Sequence, residues 1–302
     1  MTDVARRDAL KLSGLAAAPA LLRPSLALSG PKIVIGVNHD HFPQFARAIP
    51  GASGVRIYYD TYGQVPGQWP NHLPSGRSLL GGAAIPPGTH TVLSIRPMPS
   101  DLFSGKLDHQ IRSLALSAPP GSALTAWHEN EPGNPLHYPR EVNNRATAAA
   151  IHERMHWLCR RTNAKYGSII CAPAKGIMPW LGNHLDWYGL DTYCFSRYRR
   201  PDGTVDQQKW LNRMHENRQA WQRVSGRMHP TIKICETNAS HDRNRSTWFT
   251  MVAAWLAAHN GNTMLTYWNH TVGSDSGPWP PSEGVKDRLQ ALTRKYGTRN
   301  WT

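Results

Sequence analysis

The sequence predicts an α/β protein that folds as a single (β/α)8 barrel, the TIM barrel, and three observations support this class. The chain of 302 residues contains eight short, nearly continuous apolar runs, which are typical of strands covered on both faces. Stretches with helical spacing separate several of these runs, which favours right-handed crossovers between parallel strands. Eight such units in about 240 residues agree with the usual barrel length of about 250 residues.

The predicted strands are separated by enough chain for a helix or a long loop. In order, they span residues 32–38, 54–60, 90–97, 123–129, 166–173, 186–193, 231–238 and 263–269. The turn after the first strand, from Asn38 to Pro43, contains no glycine, whereas a doubly wound nucleotide-binding sheet needs a glycine-rich phosphate turn there. A barrel is therefore favoured over a doubly wound sheet.

Three of the connections carry apolar residues at clear helical spacing. They predict helices over residues 145–163, 207–223 and 247–259. The chain before the third strand is rich in glycine and proline, which predicts a loop. With no internal repeat and no linker, residues 28–302 are interpreted as one domain.

The first 27 residues are interpreted as an export signal. Arg6 and Arg7 precede Lys11 and a weakly apolar, small-residue stretch, and Ser25-Leu26-Ala27 offers a small-x-small cleavage site. This arrangement resembles the bacterial twin-arginine signal, with Ala9 where a Phe is usual. It implies a secreted protein whose mature chain starts near Leu28. An amphipathic amino-terminal helix is the alternative.

Composition narrows the classes of function. Hydrophobic residues make up 40% and charged residues 18%, which excludes a disordered chain, and the mean hydropathy of −0.51 excludes a polytopic membrane protein. The net charge is +14, and loss of residues 1–27 would leave 30 basic against 18 acidic residues, or +12. Export disfavours nucleic acid as a partner, so an anionic polysaccharide or simply a soluble basic surface explains the charge. The 12 Trp and 10 Tyr against 5 Phe favour a polar, aromatic cleft.

The four cysteines, Cys159, Cys171, Cys194 and Cys235, are scattered singly, without the paired spacing of a metal site. An exported chain could form a disulfide, but a domain of this size does not need one. Buried free thiols are the favoured interpretation.

Candidate site residues are sought where the predicted strands end, because barrel enzymes place their chemistry at the carboxyl ends of the strands. The polar and aromatic candidates there are Asn38, His39, Tyr59, Arg96, Trp127, His128, Glu129, Asn130, Glu131, Asp191, Tyr193, Glu236, Asn238 and Trp268. Carboxylates on the fourth and seventh strands would face each other across the mouth of the barrel. Retaining glycoside hydrolysis uses two such groups about 5–5.5 Å apart.

Two of these strands carry a family resemblance. The run Trp127-His-Glu-Asn-Glu-Pro132 resembles the acid/base strand of the clan A glycoside hydrolases, and Ile234-Cys-Glu-Thr-Asn238 is similar to the clan's nucleophile strand. The resemblance implies that Glu236 is the nucleophile. It also implies that Trp268 floors the subsite of the attacked sugar and that Tyr193 supports the nucleophile.

The acid/base residue is left open between two glutamates. Read as Asn130-Glu131-Pro132, the motif implies Glu131 as the acid/base, with Asn130 holding the sugar 2-hydroxyl. Read as Trp127-His128-Glu129, it resembles glycoside hydrolase family 26 and implies Glu129. Residues two apart in a strand face the same way, so spacing does not separate them. Glu129 is preferred because it lies nearer the expected rim.

Two other functions compete with this one. His39-Asp40-His41 is similar to the metal-binding turn of amidohydrolase barrels, but the eighth strand lacks the aspartate that such barrels need. A barrel that binds cell-wall polysaccharide without cleaving it is the second alternative. Trp127, Trp187 and Trp268 fit sugar-stacking platforms or ordinary packing equally well.

The sequence as a whole predicts a secreted, monomeric, retaining glycosidase. Its partner would be a β-linked polysaccharide, with an anionic one compatible with the charge. No cofactor, metal, nucleic acid or membrane segment is expected.

Overall fold

The computed structural model describes residues 33–59, 61–74, 82–129, 138–171, 180–194, 196–239, 242–259, 263–267 and 282–297. Eight parallel strands close into a barrel in chain order, with β8 pairing back onto β1. The strands are β1 Ile33–Asn38, β2 Gly54–Tyr58, β3 His90–Ile95, β4 Ala123–Ala126, β5 Lys165–Cys171, β6 Trp187–Cys194, β7 Ile232–Ala239 and β8 Thr263–Tyr267. The predicted (β/α)8 fold is confirmed.

Seven α-helices lie in the described ranges. They are α1 Phe42–Ala48, α2 Pro99–Phe103, α3 Asp108–Leu116, α4 Arg145–Cys159, α5 Gln207–Ser225, α6 Asp242–His259 and α7 Glu283–Tyr296. The three predicted helices are α4, α5 and α6. None of the seven is both long and apolar enough to cross a bilayer.

Local chemistry fixes several helix ends. The Asn144 side chain accepts hydrogen bonds from the amides of Ala146 and Thr147, at 3.0 and 3.2 Å. Asn144 is therefore the N-cap of α4, and the helix begins at the next residue. Helix α5 ends at Gly226, whose φ of 67° is left-handed. Helix α4 stops four residues before the predicted end at Asn163, and α6 starts five residues before the predicted start at Thr247.

The connection from β2 to β3 contains no helix in its described parts, residues 61–74 and 82–89, as its glycine and proline content predicts. It packs against α3 instead, where the Trp69 amide donates to Ser117 Oγ at 2.8 Å and the Gln110 side chain donates to the Val65 carbonyl. One flank of the barrel is therefore covered by loop.

The barrel interior holds a small apolar cluster of its own, separate from the larger core between strands and helices. Its members are Val34, Val92, Ala123, Ile169, Trp187, Cys235 and Met264. Two glycines leave the space that the Trp187 indole occupies. A Cβ on Gly167 would lie 2.2 Å from Trp187 Cδ2, and a Cβ on Gly189 would lie 3.0 Å from Trp187 Cζ3. These glycines allow a large side chain to fill the lower part of the barrel.

All four cysteines are free thiols, and Cys159, Cys194 and Cys235 are buried. This agrees with the interpretation favoured from the sequence. Residues 1–27, the predicted export signal, lie outside the described residues.

Candidate active site

The candidate site lies at the carboxyl ends of the strands. One carboxylate oxygen from each of Glu129, Asp191 and Glu236 can be chosen so that all three lie within 4.8 Å of one another. Asp191 and Glu236 are buried in β6 and β7, whereas Glu129 follows β4 and is partly exposed. Two of the predicted carboxylates, from strands four and seven, therefore meet.

A β-bulge in β7 aims Glu236 into the barrel. Leu190 pairs with Ile234, but Asp191 pairs with Glu236, so Cys235 is an extra residue in the ladder between β6 and β7. Cys235 packs in the interior cluster, and strict alternation would then turn Glu236 outward. The bulge reverses that alternation, as bulges beside active sites commonly do.

Two tyrosines hold the Glu236 carboxylate. Tyr58 donates a hydrogen bond to Oε1 and Tyr193 donates one to Oε2, so each oxygen has its own partner. Burial raises the pKa of Glu236 to about 7, and repulsion from Glu129 adds to the rise, while Arg56 and the two tyrosines oppose it. Burial also raises the pKa of both tyrosines, so their hydroxyls stay protonated and able to donate.

Arg56 is the positive charge beneath the carboxylates. It is fully buried in β2, with Nη2 3.7 Å from Glu236 Oε1 and 3.9 Å from Asp191 Oδ2. Burial lowers its pKa, but Tyr58, Asp191 and Glu236 together raise it above its ordinary value, so the guanidinium stays charged. It offsets the repulsion among the acids.

Sequence reasoning missed Arg56 and Tyr58 and chose Tyr59 instead. Gly54, Arg56 and Tyr58 alternate along β2, and a Cβ on Gly54 would meet the interior residues Val34 and Met264, so this set faces inward. Tyr59 packs against the core outside the barrel. The available signal was a charged residue in the middle of an apolar strand.

The turn after β4 departs from the extended strand that the sequence predicts. The strand ends at Ala126, and Trp127 and Glu129 take left-handed backbone conformations with φ of 49° and 57°. Such conformations cost about 1–3 kcal/mol each for residues other than glycine. The prediction that this strand reaches Glu129 is therefore wrong, and the same-face argument for Glu129 and Glu131 no longer holds. Asn130 and Glu131 lie outside the described residues.

Hydrogen bonds from three directions fix this turn. The Glu129 amide donates to the Ile169 carbonyl at 2.8 Å, and Trp127 Nε1 donates to the Pro97 carbonyl at 2.7 Å. The Tyr138 hydroxyl donates to the His128 carbonyl at 2.6 Å. Glu129 is thus positioned by its backbone.

Trp127 and Trp187 are packing residues rather than sugar platforms. Their exposures are 0% and 1%, so neither indole presents an open ring face to a sugar at the carboxyl ends of the strands. Trp127 stacks on Tyr62 with centroids 5.5 Å apart, and the Arg96 guanidinium carbon lies 5.3 Å from the Tyr62 ring. Trp268, the third of the group, lies outside the described residues.

The remaining candidates lie around this centre. The His128 ring is 5.3 Å from that of Tyr58, and burial, with Arg56 and Arg96, holds its pKa well below the ordinary value, so it is neutral. Asn38 and Asn238 are fully buried at their strand ends, and Asn238 Oδ1 accepts from the Ala239 amide at 2.7 Å.

The histidine turn does not assemble a metal centre within the described residues. His39 Nε2 lies 3.0 Å from Asp40 Oδ1, and the His39 ring is 5.8 Å from that of Tyr58. Among described side chains, the grouping close enough to share an ion is the carboxylate trio of Glu129, Asp191 and Glu236, to which neither His39 nor His41 belongs.

Comparison with solved structures shows which known proteins share the fold. No protein-family model and no curated protein sequence match the chain. Among solved structures, a GH26 endo-β-1,4-mannanase catalytic domain from Bacillus sp. JAMB-750 matches with a TM-score of 0.58 and 12% identity, over 88% of this chain and 87% of its own. The GH26 β-mannanase BoMan26A from Bacteroides ovatus gives 0.55 and 10%, over 87% and 89%.

A GH5 xyloglucan-specific endo-β-1,4-glucanase, XEG5A, from a metagenomic library and in complex with cellotriose, gives 0.55 and 13%, over 86% of this chain and 96% of its own. Sequence identities this low show a shared fold and do not show a shared activity. The chain has the barrel fold of the clan A glycoside hydrolases of families 5 and 26, the clan that its fourth- and seventh-strand motifs resemble.

Proposed function

We propose that the protein is a retaining glycoside hydrolase that acts on a β-linked polysaccharide, with Glu236 as nucleophile and Glu129 as acid/base. The observation that carries this proposal is the approach of the Glu129 and Glu236 carboxylates to within 4.8 Å at the mouth of the barrel. An oxygen–oxygen approach this close fits the carboxyl separation of about 5–5.5 Å used in retention better than the about 6.5–9.5 Å that inversion needs to admit a water. The named activities of the similar structures, on β-1,4-glucans and β-mannans, support the substrate class.

In the first step a Glu236 carboxylate oxygen attacks the anomeric carbon. The glycosidic C–O bond breaks as Glu129 gives its proton to the departing oxygen, which leaves a glycosyl ester on Glu236. In the second step a water attacks the same carbon while Glu129 takes the water's proton. The ester bond breaks, and Glu236 is released as carboxylate.

The surroundings of Glu236 fit the nucleophile role. Tyr58, Tyr193 and Arg56 stabilise its ionised form and fix both oxygens, which leaves the carboxylate oriented before the sugar arrives. Burial raises the pKa of Glu236, so the proton is held to higher pH than on an exposed glutamate, and Arg56 and the two tyrosines oppose this rise. Glu129, partly exposed beyond the strand end, is accessible to a leaving group.

Separate glutamine variants test the assignment. Glu236→Gln and Glu129→Gln are expected to lose at least about 10³-fold in kcat on the best substrate of a β-glucan, xylan and mannan panel. Glu216→Gln, on the exposed side of α5, is the matched control and should keep full activity. Full activity in Glu236→Gln would end the proposal.

Glu131→Gln decides the alternative assignment of the acid/base. Loss of activity in this variant, with Glu129→Gln active, would move the acid/base role to Glu131. Binding of an insoluble glycan by the wild-type protein with no reducing ends released would instead favour a non-catalytic binding barrel.

We also propose that the protein is secreted and works as a monomer. The support is the twin-arginine-like segment at residues 1–27 and the single barrel that follows it.

A further inference from the structure

A cavity lies at the opposite end of the barrel from the carboxylates. It has a volume of about 700 Å³, within the usual range of small-molecule sites. The residues that open β5 and β6, Lys165 and Trp187, line it, together with Lys233 near the start of β7. These are amino-terminal strand ends, so the cavity shares no residue with the proposed catalytic site.

The charged side chains that line the cavity are mainly cationic, and two histidines accompany them. Lys165 and Lys233 come from the strands, Arg227 and His229 from the connection between α5 and β7, and His259 from the end of α6. Among the described lining residues Asp186 is the one acid. Its carboxylate is already engaged, since it accepts from the Tyr166 amide at 2.9 Å and lies 3.7 Å from His156 Nε2.

Lys233 is the unusual member of this set. It is 3% exposed and its Nζ lies 5.6 Å from the centroid of the Trp187 ring, so the ammonium sits against this buried indole. Burial lowers its pKa to about 7. An anion in the cavity would favour the charged ammonium and so relieve the cost of burying it.

We propose that this cavity is a binding site for a small oxyanion-bearing ligand, held by Lys233, Arg227 and Lys165 at the amino-terminal end of the barrel. Arg227 is exposed and already directs Nη1 to the Asp186 carbonyl at 3.3 Å, at the rim of the cavity. Lys233 supplies the charge at the floor. The ligand group is a phosphate or a carboxylate, and both are recognised by the same cations.

Titration calorimetry with the full-length protein tests the site. The probes are inorganic phosphate and glucuronate, each at constant ionic strength in chloride. The wild type is expected to bind at least one probe saturably, one per chain. Lys233→Met and Arg227→Gln should each weaken binding about tenfold or more, because each removes a charged hydrogen-bond partner.

Lys209→Met, on the exposed face of α5, is the matched control for general surface charge and should bind as the wild type does. Binding of phosphate alone would identify the ligand group as phosphate, and binding of glucuronate alone would identify it as carboxylate. Absence of saturable binding for both probes, or equal weakening by Lys209→Met and Lys233→Met, would overturn the proposal. Arg227→Gln changes an exposed residue, so the test stands even if Lys233→Met fails to fold.

Discussion

At the scale of a single residue, the position of Glu236 in the fold and its proposed role in catalysis favour different charge states. Its place in the barrel is buried and within reach of another carboxylate, which disfavours its charge, while the proposed chemistry needs that charge. Tyr58, Tyr193 and Arg56 meet part of the cost. The part of the burial cost that they do not offset lowers the stability of the folded protein, as is common where function and stability compete.

Glu236→Gln is therefore expected to stabilise the fold. The pKa of Glu236 is raised to about 7, above its usual unfolded value of about 4.3, so the folded state binds the extra proton between these pH values. The wild type thus loses stability as pH rises through this window, by up to about 4 kcal/mol above pH 7. The neutral amide removes that loss.

Urea unfolding of wild type and Glu236→Gln at pH 4.5 and 8 measures this effect. The two proteins should differ little at pH 4.5, and the variant should be more stable at pH 8. Equal stability at both values would show that Glu236 is charged without cost.

Tyr58→Phe removes one hydrogen bond that favours the ionised form of Glu236. The pKa of Glu236 should rise further, so the acid limb of the kcat/KM–pH profile should move up by about one unit. Activity is lost as pH falls through this limb because the nucleophile becomes protonated. Tyr62→Phe, at a ring that stacks on Trp127, is the control and should leave the limb in place. A limb unmoved in Tyr58→Phe would mean that it belongs to another group.

At the scale of elements, the strands were predictable and their local irregularities were not. Each of the eight apolar runs overlaps its observed strand, because burial on both faces leaves a strong composition signal. The bulge at Cys235 and the left-handed turn at Trp127 and Glu129 come from pairing with distant chain, which composition does not report. Both irregularities place a glutamate of the proposed catalytic pair.

The candidate site was predictable in part: the sequence indicated its residues near the carboxyl ends of strands but not the one in the middle of β2. Glu129 follows β4, and Asp191, Tyr193 and Glu236 lie in the carboxyl-terminal halves of β6 and β7, the end of the barrel to which the fold class directs attention, and they meet. Arg56 lies in the middle of a strand and was passed over, since its role depends on the inward face of β2. The short α1 and α2 lack enough turns to show a period.

Gly167→Ala tests how the interior is packed. The added methyl would lie 2.2 Å from Trp187 Cδ2 and 2.4 Å from the Trp187 carbonyl oxygen, and backbone cannot yield as a flexible side chain can. We expect destabilisation by about 1–3 kcal/mol or more in urea unfolding. Gly284→Ala, where an added Cβ meets nothing within 4 Å inside α7, should be neutral or slightly stabilising. An unchanged unfolding midpoint in Gly167→Ala would contradict the packing described for Trp187.

At the scale of the whole molecule, the basic charge and the amino-terminal segment bear on the compartment in which the protein acts. The segment at residues 1–27 is proposed to direct export of the folded chain, and the mature protein would still carry +12. Replacement of Arg6 and Arg7 by lysine should keep the charge but block export in a bacterium with a twin-arginine pathway. Mass spectrometry of the exported wild type should give a start near Leu28. Equal export of the double variant would refute the signal assignment.

The stereochemistry of hydrolysis tests the central claim most directly. Proton NMR of the wild-type protein, mixed with the best soluble β-glucan or β-mannan substrate, follows the anomeric signals before mutarotation. The close approach of Glu129 and Glu236 predicts that the β-anomer appears first and the α-anomer only later. First appearance of the α-anomer, or no product from any β-linked substrate, would contradict the two-glutamate retaining mechanism.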